Sequence, residues 1–255
     1  MIFLKSPQEI ALMRTANRVV LEILAILREQ IRPGISTGEI DRIAADLIKQ
    51  KGVRSAFKGY QMRAGVVPFP ATICVSLNNE VVHGIPSFQR VVCEGDLVSL
   101  DFGVVYRDFY GDAAVSFAVG AVNEQTRRLI ETTAAALEEG VAQARVGSRL
   151  GDMSATIQER VERGGFSVVR EFVGHGVGRR LHEDPPVPNY GVRDRGVRLR
   201  EGMVLAVEPM VNAGRAEVAL KSDGWTAVTK DGSLSAHFEY SVAVTERGPE
   251  VLGRL

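Results

Sequence analysis

The chain has 255 residues, 45% apolar and 24% charged, a balance that supports a sizeable buried core and excludes disordered and disulfide-stapled classes. Lysine plus arginine equals aspartate plus glutamate at 31 each, so no net field holds a polyanion or an anionic membrane, which argues against nucleic acid as a partner. No stretch has the length and apolarity of a signal peptide or a membrane span, and the two cysteines, Cys74 and Cys93, read as reduced thiols in a cytoplasmic setting.

The first predicted element is a helix over 7–31. Ile10, Met13, Val20, Ile23, Leu24 and Leu27 recur at spacings of three and four, which puts them on one face. Ser6-Pro7-Gln8-Glu9 supplies a capping serine, a proline at the first helical position and a carboxylate three residues after the cap. Pro33-Gly34 ends this helix. Ser36 or Thr37 caps a second one, with Ile40, Ile43, Ala44, Leu47 and Ile48 as its buried stripe and Gly52 as its stop. The apolar period then changes to two, predicting strands at 73–77, 97–106 and 113–119. The same order returns: a long helix over 124–144, a second over 151–163, and strands near 168–172, 203–207 and 239–244.

Direct comparison reveals a repeat. Glu94-Gly-Asp-Leu-Val-Ser-Leu-Asp101 aligns without gaps on Glu201-Gly-Met-Val-Leu-Ala-Val-Glu208, and Gly34-Ile-Ser-Thr-Gly-Glu39 on Gly147-Ser-Arg-Leu-Gly-Asp152. His83-Gly84 echoes His175-Gly176. The expectation is one domain over 1–255, of class α/β or α+β, made of two related halves at about 6–120 and 121–251. A carboxylate ends both matched strands, and each half offers a histidine and acidic residues to a shared seam.

Asp101 and Asp112 flank a segment that reads as two antiparallel strands joined by a turn near Arg107-Asp108, so a hairpin brings both carboxylates together. Alone, either aspartate would be read as a strand or turn cap. Here Asp101 follows the apolar run 97–100 and Glu208 follows 203–207, so both charges leave segments that belong in a core. An uncompensated buried carboxylate costs several kcal/mol, so a cation is required. No lysine or arginine is built into these strands, while His175 lies in Gly174-His-Gly-Val-Gly178, whose small residues let metal and substrate approach the ring. With Glu239, four carboxylates and one histidine form a hard donor set larger than one ion needs, which suits two divalent ions. The set is unlike a cysteine-rich structural zinc site.

Val82-His83-Gly-Ile-Pro86, Asp101-Phe-Gly, Tyr110-Gly-Asp112, Gly174-His-Gly-Val-Gly-Arg179, His182-Glu-Asp-Pro185, Glu208-Pro-Met-Val211, Asp223-Gly-Trp225, Thr229 and Ser235-Ala-His-Phe-Glu239 together resemble the type I methionine aminopeptidases, from about Ser6 to Val251. The resemblance implies a single catalytic domain over 1–255 with the pita-bread fold, of class α+β, an antiparallel sheet with pseudo-twofold halves covered by two pairs of helices. It implies that Asp112 and Glu239 bridge two divalent ions, that Asp101 completes one and that His175 with Glu208 completes the other. The ions would be cobalt, manganese, iron or zinc, with a monovalent cation as a further candidate. Glu208 would shuttle a proton from the attacking water to the leaving amine, His182 would hydrogen-bond the developing oxyanion, and His83 would contact the scissile amide or the departing nitrogen. Phe57, Tyr60, Phe69, Cys74 and Trp225 would form the pocket for the methionine side chain.

The implied substrate is the N terminus of a nascent, deformylated protein with a small second residue, met by a cytoplasmic monomer in transient contact with the ribosome and with no membrane partner. The chain departs from the pattern at 61–68, an insertion of about six residues between Tyr60 and Phe69, and at Leu181, where an aromatic residue is common. His237 matches no functional position of the family and is assigned to structure. The basic segment 193–200 reads as a solvated loop. Two rival readings are another pita-bread exopeptidase of the Xaa-Pro type and a non-catalytic pita-bread binding module.

Overall fold

A computed structural model describes residues 1–61, 65 and 67–254 of the chain. Helix α1, Pro7–Gln30, starts on a complete capping box, in which the Glu9 N–H donates to the Ser6 hydroxyl at 3.3 Å and the Ser6 N–H donates to the Glu9 carboxylate at 2.9 Å. Helix α2, Thr37–Lys51, repeats the device with Ser36 and Glu39 and closes at Gly52, whose left-handed φ of 66° favours a residue without a side chain. In the second half α3, Glu124–Val141, is capped by Asn123. Helix α4, Leu150–Arg163, begins at Arg149, which stands where the first half has Ser36. Arginine offers no acceptor, so only the return bond remains, from the Arg149 N–H to Asp152 Oδ2 at 2.8 Å.

Two predicted elements end early. Helix α3 stops at Val141 rather than 144, because Gln143 and Ala144 donate to carbonyls three residues back and tighten the chain into a turn. The strand expected over 168–172 is Ser167–Val168. The chain beyond it is irregular and carries Phe172 to the edge of the His83 ring, centroids 5.6 Å apart.

Among the described residues the main sheet has nine strands, all paired antiparallel. Its centre is the contact between strand Phe109–Ala118 and strand Glu239–Thr245. Outward on one side lies Leu97–Tyr106, paired with Cys74–Leu77 and Arg54–Ser55; outward on the other lie Val204–Val207, then Gly174–Gly176, then Glu183–Val187. The helices follow the same division. Ile23, Leu24 and Leu27 of α1 and Ile40 and Ala44 of α2 share a core with Leu100, Phe102 and Val104. Leu129 and Leu137 of α3 and Met153 and Ile157 of α4 share another with Leu205, Val207 and Val242. Phe238 packs against both. Each core covers one face of its half-sheet and leaves the other face to form a cavity. Among the described residues no helix is long and apolar enough to cross a membrane.

Candidate metal centre

Five neighbouring strands each deliver one polar side chain to the same cavity. Asp101 and Asp112 share a face of the 97–118 hairpin, because Gly103 pairs with Asp112 and Asp101 with Ala114. The hairpin turns at Arg107 and Asp108, both with positive φ, 46° and 64°, as the right-handed twist of a two-residue connection demands. Glu239 opens the next strand, opposite Ala114. Glu208 follows Val204–Val207, and Pro209, which lacks an N–H, marks the end of that strand. His175 sits in Gly174–Gly176, paired with Ala206. The expectation that a carboxylate ends both matched strands holds for Glu208, whereas Asp101 lies mid-strand.

Ligand atoms of Asp112, His175 and Glu239 lie within 4.8 Å of one another, all three residues buried. His175 Nε2 is 4.0 Å from Asp112 Oδ2 and 3.5 Å from Glu208 Oε1. With Nδ1–H donating to the Gly176 carbonyl at 2.9 Å, Nε2 keeps its lone pair toward the carboxylates. Asp112 Oδ1 and Glu239 Oε1 are buried without a hydrogen-bond partner, and among the described residues lining the cavity there is no lysine or arginine. Burial away from water pushes the Asp101 carboxyl up to about 7 and that of Glu208 up to about 8. Asp112 and Glu239 are held well above the carboxylate range, by burial first and by neighbouring carboxylates second. Burial also depresses the imidazoles, His175 to about 3 and His83 and His182 to about 4. Crowded carboxylates with orphaned oxygens and a neutral imidazole make a donor set that fits divalent cations.

The cavity, about 480 Å³ including its open mouth, is lined by all twelve residues expected at the site, with Leu181 beside them. Its apolar wall is closed by Phe69 edge-on to Trp225, centroids 5.2 Å apart, and by His83 edge-on to Trp225 at 5.9 Å. Cys74 faces Asp101 across the strand pair, and burial together with the neighbouring Asp101 charge pushes its thiol well above its ordinary value. The Tyr60 hydroxyl lies 2.5 Å from His182 Nδ1. Of the inserted 61–68 segment, residues 62–64 and 66 lie outside the described residues. Its neck is formed by Phe69 N–H donating to the Tyr60 carbonyl and Gly59 N–H to the Phe69 carbonyl, both at 2.8 Å, so both residues remain on the cavity wall.

The structure adds two observations that the sequence does not hold. The glycines around His175 serve strand packing, since a Cβ on Gly174 would stand 2.3 Å from the Ala206 carbonyl oxygen and one on Gly176 2.3 Å from that of Asp184. His237 is not remote from the site: strand pairing of Met210 with His237 sets its Nε2 3.3 Å from Glu208 Oε2. No spacing in the sequence exposes that contact, because it depends on the register of two short strands. The basic segment 193–200 is laced to α4, with Arg193 forked onto Glu159 at 3.1 and 2.6 Å.

The profile of metallopeptidase family M24 matches residues 11–246. The chain is 48% identical to a methionine aminopeptidase of Clostridium acetobutylicum over 99% of its own length and 98% of that protein's. It is 47% identical to methionine aminopeptidase 1 of Bacillus subtilis over the whole of both. Among solved structures, the methionine aminopeptidase of Thermotoga maritima superposes with a TM-score of 0.96 at 47% identity, all of both chains covered. The prolidase of Pyrococcus horikoshii, at 22% identity and a TM-score of 0.76 over 98% of this chain and 63% of that one, shares the pita-bread fold alone.

Proposed function

Because the chain belongs to metallopeptidase family M24, we propose that it is a methionine aminopeptidase, which removes the first methionine from polypeptides whose second residue is small. The observation that carries this reading is the convergence of Asp101, Asp112, His175, Glu208 and Glu239 from five adjacent strands on one buried cavity, in a chain that matches methionine aminopeptidases end to end. Asp112 and Glu239, at the centre of the sheet, would bridge two divalent cations; Asp101 would complete one site and His175 with Glu208 the other. Cations bound there supply Lewis acidity for the scissile carbonyl and lower the pKa of a water. The donors are hard, which suits manganese, iron or cobalt and admits zinc.

The side chains supply the rest. Glu208 lines the cavity beside the place of the cations, so its carboxylate can take a proton from the attacking water and pass it to the leaving amine. Its backbone is held by Asn189, whose Nδ2–H donates to the Glu208 carbonyl at 2.9 Å. His182 is neutral, and with Nδ1 accepting from the Tyr60 hydroxyl its Nε2–H is free to donate to an oxyanion. His83, also neutral, stands against Trp225 and would meet the scissile amide or the departing nitrogen. The thioether chain of methionine fits the wall of Phe57, Tyr60, Phe69, Cys74 and Trp225, apolar with few polar groups. Nascent chains in the cytoplasm are the fitting substrate, with the enzyme acting as a monomer.

Purified protein, stripped with chelator and then given manganese, is incubated with Met-Ala-Ser and Pro-Ala-Ser. Methionine release that requires the added metal is expected. Proline release would favour an Xaa-Pro exopeptidase, and no release with any of the four metals would favour a binding module.

A further inference from the structure

His237 is the fourth histidine of the chain, and the reaction above gives it no task. Its side chain is buried, its Nε2 has no well-formed hydrogen bond, and that atom lies 3.3 Å from Glu208 Oε2. The other carboxylate oxygen, Oε1, lies 3.5 Å from His175 Nε2, so Glu208 is set between two imidazoles, one at each oxygen. The backbone behind the ring is pinned. His237 N–H donates to Ser116 Oγ and Ser116 Oγ–H donates back to the His237 carbonyl, each at 2.8 Å, while Ser99 Oγ sits 2.6 Å from Ser116 Oγ. These hydroxyls are buried and fix the strand end from which the ring reaches Glu208.

We propose that His237 is a positioning residue for Glu208: its Nε2–H donates to Oε2 and leaves Oε1 for the cation and the proton. The inference rests on the role given to Glu208 above. A carboxylate held at one oxygen cannot swing between orientations as its load of cation and proton changes, which keeps the shuttle aimed. His237 does not itself line the cavity, so it acts through Glu208 and not on the substrate.

The test compares His237→Leu, which removes the donor, with His237→Gln, which keeps an N–H. Manganese is titrated calorimetrically into the stripped proteins, kcat and KM are measured for Met-Ala-Ser, and melting curves report folding. The leucine variant should lose about tenfold to a hundredfold in kcat and about tenfold in manganese affinity, the range for residues that orient metal ligands, with KM near that of the parent. The glutamine variant should recover most of both. In a Glu208→Gln background the leucine change should add little. A leucine variant equal to the parent, equal losses in leucine and glutamine variants, or a full further loss in the Glu208→Gln background each overturns the proposal. His237→Met replaces leucine as the donor-free variant should the leucine protein not fold. A parent that releases no methionine sinks the proposed function, whereas the manganese titration still reads the His237 contact.

Discussion

In the first half, Asp101 and Asp112 ride on one unbroken hairpin of two ten-residue strands. In the second, Glu208 and Glu239 come from separate places, just after Val204–Val207 and at the start of Glu239–Thr245, with Pro209 and four short strands between them. The helices differ in the same sense. Helix α2 has a reciprocal cap at Ser36, and α4 has half of one at Arg149, although both caps bridge to an equivalent place, Ser36 to Val91 and Arg149 to Arg198. The first half sets its two carboxylates on a single hairpin, while the second gathers its two across thirty residues of chain. A site at the seam needs matched positions from both halves, and it tolerates unequal local means of reaching them.

Substitutions in the two halves test how far they are equivalent. The largest effect is expected from Asp112→Ala and Glu239→Ala, the central pair, each losing on the order of 10³-fold or more in kcat with loss of manganese in calorimetry, since a lost cation forfeits several kcal/mol of transition-state stabilisation. If one variant kept both activity and metal, the halves would not be equivalent. The next is Lys5→Met. Lys5 Nζ and Glu183 Oε2 form a buried ion pair at 2.7 Å, and the other Glu183 oxygen accepts the Arg179 and Arg180 N–H groups. The chain's first residues therefore anchor the second half's His182 loop, and removing one partner should destabilise the fold by about 3–5 kcal/mol in urea melts.

Glu208→Gln should lower kcat by about 10²-fold as a proton shuttle is lost, whereas Asp101→Asn, its mate in the repeat, should act mainly on manganese affinity. Equal kcat losses would erase the distinction. The same two residues, together with the raised Asp112 and Glu239, set a pH dependence in chelated protein. Above the unfolded histidine pKa near 6.5, the unfolded carboxyls carry no protons, while folded Asp101 and Glu208 still bind theirs up to about 7 and about 8. Stability falls wherever the folded state holds more protons, so the melting temperature should drop as pH rises from 6.5 to about 8. Below 6.5 the depressed histidines act in the opposite sense. Manganese should restore the melt most at the upper end of that window. The smallest effect belongs to the caps: Ser36→Ala should cost about 1 kcal/mol, and Arg149→Ser should gain a few tenths to about 1 kcal/mol, in the same melts.

Much of this architecture is legible in the residues because its signals are local. The capping box at Ser6, a cap at Ser36 or Thr37, the stop at Gly52 and the 97–106 strand follow from periodicity and cap chemistry within a few residues. The repeat is legible because matched strings survive at 94–101 and 201–208. The early ends of α3 and of the 167–168 strand are not, since a tightened turn and the pull of Phe172 toward His83 override periodicity. The purpose of Gly174 and Gly176 also stays hidden, because a glycine that lets strands approach and one that lets a ligand approach look alike in a string.

Residue types and spacings alone determined that apolar strands carry carboxylates which need a cation, and in which order helices and strands alternate. The tertiary structure alone decided the order of the five strands, the oxygens left without partners and the placing of His237 behind Glu208. Charge and periodicity are properties of a chain read in one dimension, whereas a register between distant strands exists only once the backbone hydrogen bonds between them have formed.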